Sequence, residues 1–79
     1  MEVQMAKKKN RDIEKDYPKE QFVKKLRRLA DCIEHDTRFR IQIAGERISV
    51  PSGAIINIEH EIGKTSEEIE FQLKWKIAH

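Results

Sequence analysis

The sequence predicts an α+β domain of two layers, one N-terminal amphipathic helix packed on a four-stranded antiparallel meander, in the order α-β-β-β-β. Three observations predict it. Apolar residues recur at helical spacing between residues 22 and 33, the period changes to strict alternation after residue 37, and the alternating stretches are joined by short turn-forming connections. An amphipathic helix and a one-sided sheet both need an apolar partner, and each is the other's most economical one.

The helix is expected to start near Pro18, because proline suits a first helical turn. Phe22, Leu26, Leu29 and Ile33 form its stripe, widened by Val23 and Ala30. Lys19, Lys24, Lys25, Arg27, Arg28, Asp31 and Glu34 cover the rest of the wheel. Asp36-Thr37 interrupts the pattern and should end it. Phe39, Ile41 and Ile43 then alternate with Arg38, Arg40 and Gln42, a first strand with a core face and a wet face. Ala44-Gly45-Glu46-Arg47 reads as a tight turn, and Ile48 and Val50 continue the same face on a second strand. Pro51-Ser52-Gly53 ends that strand with turn chemistry. A third strand places Ile56, Ile58, His60 and Ile62 on the apolar side and Asn57, Glu59 and Glu61 on the other. After the turn Gly63-Lys64-Thr65-Ser66, the last strand alternates most clearly. Ile69, Phe71, Leu73, Trp75 and Ile77 face the core, and Glu68, Glu70, Gln72, Lys74 and Lys76 face water. Connections this short favour antiparallel pairing of successive strands.

Seventy-nine residues hold one domain with a small core. Residues 1–17 are expected to form a charged tail, with Lys7, Lys8, Lys9 and Arg11 as a basic run, and residues 18–79 the domain. Sixteen Lys and Arg stand against fourteen Asp and Glu, a formal net charge of +2, so charge alone does not mark a nucleic-acid footprint. No apolar run approaches the roughly 20 residues of a membrane-spanning helix. Met1 to Asp16 has no apolar stretch, so a signal peptide is not expected. The single Cys32 cannot form an internal disulfide, which suits a reducing, cytoplasmic compartment.

The chain resembles the amphi-Trp domain family, small prokaryotic proteins named for an amphipathic final strand carrying a tryptophan. The matching pieces are Leu29-Ala30-Asp31, Ile48-Ser49-Val50-Pro51, Ile58-Glu59-His60-Glu61 and the run from Glu68 to Trp75, ending Leu73-Lys74-Trp75. They span about residues 18 to 77. That family has no established activity, so the resemblance implies the fold and transfers no catalytic residue.

Four constellations are candidates for function. Cys32 and His35, spaced Cys-x-x-His on the helix, could share a metal ion with His60 and His79. No second Cys/His pair supports them, so Cys32 is expected as a small apolar residue and His35 as a helix-end residue. Glu59, Glu61, Glu68 and Glu70 should share the charged face of the last two strands, where like charges directly opposite are unfavourable. Arg38, Arg40 and Arg47 should cluster on the charged face of the first two, giving one sheet face that is positive at one side and negative at the other. Lys24, Lys25, Arg27 and Arg28 form a basic helix face that could contact phosphate. The aromatics Phe22, Phe39, Phe71 and Trp75 are expected in the core, leaving Tyr17 as the one ring for base stacking. Trp75 is expected to anchor the sheet to the helix, the alternative being a partly exposed ring used in self-association.

No nucleophile with a patterned base is visible among Ser49, Ser52, Ser66, Thr37 and Thr65. The three scattered glycines form no phosphate loop. Neither an enzyme nor a cofactor is expected. The expected function is a binding or protein-interaction module, or a self-associating one, using the polarised sheet face. The alternative is a nucleic-acid accessory protein using the basic helix face and the tail.

Overall fold

The computed structural model describes residues 12–77, so the expected tail up to residue 11 and the possible ligand His79 lie outside the described residues. The element order is α1 (Lys19–Glu34), β1 (Phe39–Ile43), β2 (Glu46–Val50), β3 (Ile55–Ile62) and β4 (Glu67–Lys74). This is the α-β-β-β-β order that the change of period predicts.

Helix α1 begins where proline dictates. Pro18 takes the N-cap position at φ −59° and ψ 150° without a side-chain cap. Its carbonyl accepts the first helical hydrogen bond from the Phe22 N–H at 3.0 Å. The helix ends at Glu34 because Asp36 turns left-handed at φ 54°, a conformation an aspartate tolerates better than most residues. The Thr37 N–H then folds back on the Cys32 carbonyl at 2.9 Å and occupies one of the last turn's free acceptors.

Strands β1 and β2 form a hairpin with Phe39 opposite Val50, Ile41 opposite Ile48, and Arg40 opposite Ser49. Its two-residue loop is tighter than the four-residue turn expected. Ala44 at φ 49° and Gly45 at φ 83° both adopt positive φ, the backbone that matches the twist of paired strands. Strands β3 and β4 form a second, longer hairpin. Ile56 faces Leu73, Ile58 faces Phe71, His60 faces Ile69, Glu59 faces Glu70, and Glu61 faces Glu68. The Gly63 N–H donates to the Ser66 carbonyl at 2.8 Å and closes its loop.

The expected continuous four-stranded meander is not formed. The strands make two separate two-stranded sheets, β1-β2 and β3-β4. The break falls at Pro51. Proline offers no N–H to a ladder, and the chain turns at once, the Ala54 N–H donating to the Pro51 carbonyl at 3.2 Å. The second hairpin therefore leaves on its own course instead of extending the first sheet.

The helix follows the outer edge of β1 and seals it. Three alternate carbonyls of that edge are met by side chains of the helix and of Tyr17 just before it. Arg28 Nη1 donates to the Arg40 carbonyl at 2.7 Å, and Tyr17 Oη donates to the Gln42 carbonyl at 3.3 Å. Cys32 Sγ donates to the Arg38 carbonyl at 3.6 Å. Residues 28 and 32 lie one helical turn apart, and 38 and 40 two strand positions apart, so the two periods match along this seam. An unpaired strand edge is a template for unwanted pairing, and here it is occupied.

The core is smaller than the apolar pattern predicts. Among the described residues only the hydrophobic side chains of Phe39 and Val50 are buried, at 6% and 7% exposure. Phe22 and Phe71, expected inside, are exposed, and Trp75 keeps 40% of its surface in contact with solvent. The reason is area. A 16-residue helix is about 24 Å long and about 10 Å across with side chains. Four strands at about 4.8 Å spacing are about 19 Å wide. α1 packs mainly along β1, and Phe22, Leu26 and Ile33 of its stripe stay at least 40% exposed, so neither the stripe nor the second hairpin is covered within the chain.

Candidate functional site

The second hairpin carries two surfaces of opposite character. On one face Ile56, Ile58, Ile62, Ile69 and Phe71 keep between 56% and 72% of their surface exposed. They occupy the same face because strand side chains alternate and the register sets Ile58 against Phe71 and Ile56 against Leu73. At the far end of this face His60 Nε2 lies 2.7 Å from Glu67 Oε2. At its root the hairpin and the C-terminal half of the helix flank an open groove of about 370 Å³, whose walls include Leu29, Ile33, Ile58, Phe71 and Leu73. Sequence reasoning placed these strand residues in a core. The signal that points outward was present: the alternating stretches offer far more apolar residues than a single 16-residue stripe can cover.

The opposite face carries the four predicted glutamates together. Glu59 pairs with Glu70 and Glu61 with Glu68. Asn57 Nδ2 donates to Gln72 Oε1 at 2.9 Å, and Gln72 Nε2 donates to Glu70 Oε1 at 2.7 Å, so one end of the ladder is held by amide bridges. The carboxyl of Glu61 is held above its ordinary value, first by a hydrogen bond with the Glu59 side chain and then by the charges of Glu70, Glu59 and Glu68. Glu68 is raised in the same way by its hydrogen bond with Glu70 and the Glu70 charge.

A group whose value is raised on folding favours the folded state most when protonated. That contribution is fully present below the ordinary carboxylate value and is lost as the pH rises through the raised one. The hairpin should therefore gain thermal stability on acidification from neutral pH into the carboxylate range. The double variant E61Q/E68Q should melt at a higher temperature than the parent at pH 7 and show a flatter dependence on pH, as followed by circular dichroism. A lower melting temperature at pH 7 would refute the repulsion. Ligand atoms of Glu59, Glu61 and Glu70 lie within 4.8 Å of one another, as do those of Asp31, Glu34 and His35. Asp31, Glu34, His35 and Glu61 are exposed and Glu59 and Glu70 half-buried, and acidic side chains gather in this way without an ion.

The two residues of the Cys-x-x-His pair each have another partner. Cys32 Sγ is directed at the Arg38 carbonyl. His35 Nδ1 lies 2.9 Å from the Asp31 carbonyl oxygen and 3.3 Å from Asp31 Oδ1. His60 is engaged with Glu67 on the second hairpin.

The basic residues fall on the other half of the molecule. The expected single polarised sheet face is instead split between two sheets, because β2 and β3 do not pair. Arg40 and Arg47 come together with Lys25 and Arg28 of the helix around a groove of about 620 Å³, floored by the β1–β2 hairpin. Arg38 Nη1 donates to Ser49 Oγ at 3.0 Å. Lys24 and Arg27 stay exposed on the helix and do not line that groove. Tyr17, expected as a free stacking ring, is half-buried against the first hairpin, with Lys25 Nζ 4.9 Å and Lys15 Nζ 5.4 Å from its centroid. No helix among the described residues is long and apolar enough to cross a membrane.

Fold and surfaces together define a small α+β module, a helix-sealed hairpin carrying a second, half-uncovered one. No family model, curated protein or solved structure matches the chain.

Proposed function

We propose that this chain is a non-enzymatic protein-interaction module of the amphi-Trp type, working in the reducing cytoplasm, and that its second hairpin is the interaction element. One observation carries the reading: five large apolar side chains share one face of β3–β4 and are each more than half exposed. Monomeric proteins rarely expose a contiguous apolar patch above a few hundred Å², and larger patches mark contact surfaces. The opposite face carries Glu59, Glu61, Glu68 and Glu70 and offers no comparable apolar patch.

The test is a photoreactive residue at position 71 in the full chain, irradiated in the cells that make it, with position 47 as the control. The expected result is a discrete cross-linked species from position 71, of defined mass and identified by mass spectrometry, absent from position 47. Irradiation that yields no adduct at position 71 would end the reading.

A second reading keeps one specific observation in its favour. Lys25, Arg28, Arg40 and Arg47 converge on one groove from two elements, as a phosphate-contacting surface would require. Its mark is steep salt dependence. Four phosphate contacts to a single strand predict a slope of about −3 in log affinity against log salt. The half-buried Tyr17 argues against base stacking as its mechanism.

A further inference from the structure

We propose that the occupant of the second hairpin is a second copy of this chain, the two copies related by a two-fold axis and each laying the Ile58–Ile69–Phe71 face of its hairpin on the helix stripe and apolar groove of the other. The inference rests on the interaction-module reading and names its partner.

Area is the first argument. Side chains of the size of Ile56, Ile58, Ile62, Ile69 and Phe71, each more than half exposed, present on the order of 500 Å² of apolar surface. A reciprocal contact uses that face twice and adds the receiving surface of each helix. It therefore exceeds the roughly 1,000 Å² of total burial expected of a biological interface. The receiving surface exists in the same molecule. Phe22, Leu26 and Ile33 on the stripe are all at least 40% exposed, and Leu29 and Ile33 line the open groove.

Charge is the second argument, and it selects a copy over a foreign protein. Residues 19–50, the helix and first hairpin, hold eight Lys and Arg against five Asp and Glu. Residues 55–74, the second hairpin, hold two against five. One half carries +3 and the other −3. A two-fold contact is self-complementary, so the acidic hairpin of each copy meets the basic half of the other twice. A sheet is thin enough that carboxylates on its far face lie within the roughly 10 Å screening length of the surface beneath it.

The sealed edge of β1 is the third. Arg28, Tyr17 and Cys32 occupy its carbonyls, so a second copy cannot add a strand beside the helix and must approach the stripe through a face.

The experiment is sedimentation velocity on the full chain from 1 to 200 μM at physiological salt, with the variants Phe71→Glu and Ile58→Glu. The expected result is a species of twice 9.4 kDa. Each variant should weaken association at least ~100-fold while leaving the circular dichroism spectrum unchanged, since both side chains are exposed within one copy. Isotope-filtered NMR on a mixed labelled and unlabelled sample should then show contacts between the Phe71 ring of one copy and the Leu26 and Ile33 methyls of the other. A parent chain that stays monomeric at 200 μM overturns the proposal. So does a dimer that survives Phe71→Glu, or one whose inter-copy contacts run from Phe71 to Ile58 instead of to the helix. A monomer that still cross-links from position 71 to a different protein would reject the second copy and leave the interaction reading standing.

Discussion

Replacing Phe39 by alanine is expected to cost about 3 kcal/mol and to bring the chain close to unfolding. The ring is one of the two buried hydrophobic side chains among the described residues. It pairs across the hairpin with Val50, the other one, and the Arg28 guanidinium lies 4.7 Å from its centroid. Truncating a buried phenylalanine removes its transfer energy and leaves a cavity, for a typical total of about 3–5 kcal/mol. A chain of this size has about 4–12 kcal/mol of stability in all. A core this small has little around it to collapse into the gap, which argues against a milder outcome. Urea titration followed by Trp75 fluorescence reads the loss. The matched control is Phe71→Ala in dilute protein. That ring is 67% exposed, and a change there should stay within about 1 kcal/mol. Equal losses at the two positions would mean that the second hairpin is packed within one copy, contrary to the fold described above.

Arg28→Ala is the second large effect, expected at about 1–2 kcal/mol with faster aggregation on heating. Two contacts go together. The guanidinium donates to the Arg40 carbonyl at 2.7 Å, and it stacks on the Phe39 ring. Hydrogen bonds to charged groups contribute about 1.5–3 kcal/mol, and exposed cation–π contacts about 0.5–1. Arg28 is exposed, so water replaces part of the first term and the lower end applies. Arg28→Met separates the two contributions. It keeps an apolar stem over Phe39 and loses the donor, so it should recover part of the melting temperature and none of the aggregation resistance. The second readout follows from position: without Arg28 the middle carbonyl of the β1 edge is open to another strand. Light scattering during a thermal ramp checks it. An Arg28→Ala protein that scatters no more than the parent would show that the edge needs no cap.

The same residue illustrates what a pattern leaves unsaid. Lys24, Lys25, Arg27 and Arg28 read alike in the sequence, as a basic helix face. The structure divides them. Arg28 is a seal on β1 and a lid on Phe39, Lys25 leans over Tyr17, and Lys24 and Arg27 remain in solvent. Which helical cation meets a strand edge depends on the rotation of the helix against the sheet, a property of neither element alone.

Local pattern determined the elements. The spacing of Phe22, Leu26, Leu29 and Ile33 specified α1, and Pro18 set its start, because φ and a missing N–H are properties of the residue itself. Period-two alternation specified four strands and which side of each is apolar, and the register bears out the facing pairs from Phe39–Val50 to Glu61–Glu68, while Trp75 and Ile77, expected on the last strand, lie beyond its end at Lys74 and Glu46 and Arg47, expected in the turn, belong to β2. The acidic cluster was legible for the same reason: alternation and a short turn together fix who stands opposite whom.

Tertiary structure alone decided how many sheets these strands make and which apolar faces are covered. Pro51 was readable as a turn, but a turn can either return a strand to its neighbour's edge or send it away, and local chemistry is the same in both cases. Once the second hairpin left the first, the helix stayed with β1 and the second hairpin was left without a helix over its apolar face. The face of Ile58, Ile69 and Phe71, which alternation labels as core, then became the exterior of one copy. Alternation reports that a side chain needs an apolar partner; whether that partner lies in the same chain depends on areas summed over the whole fold.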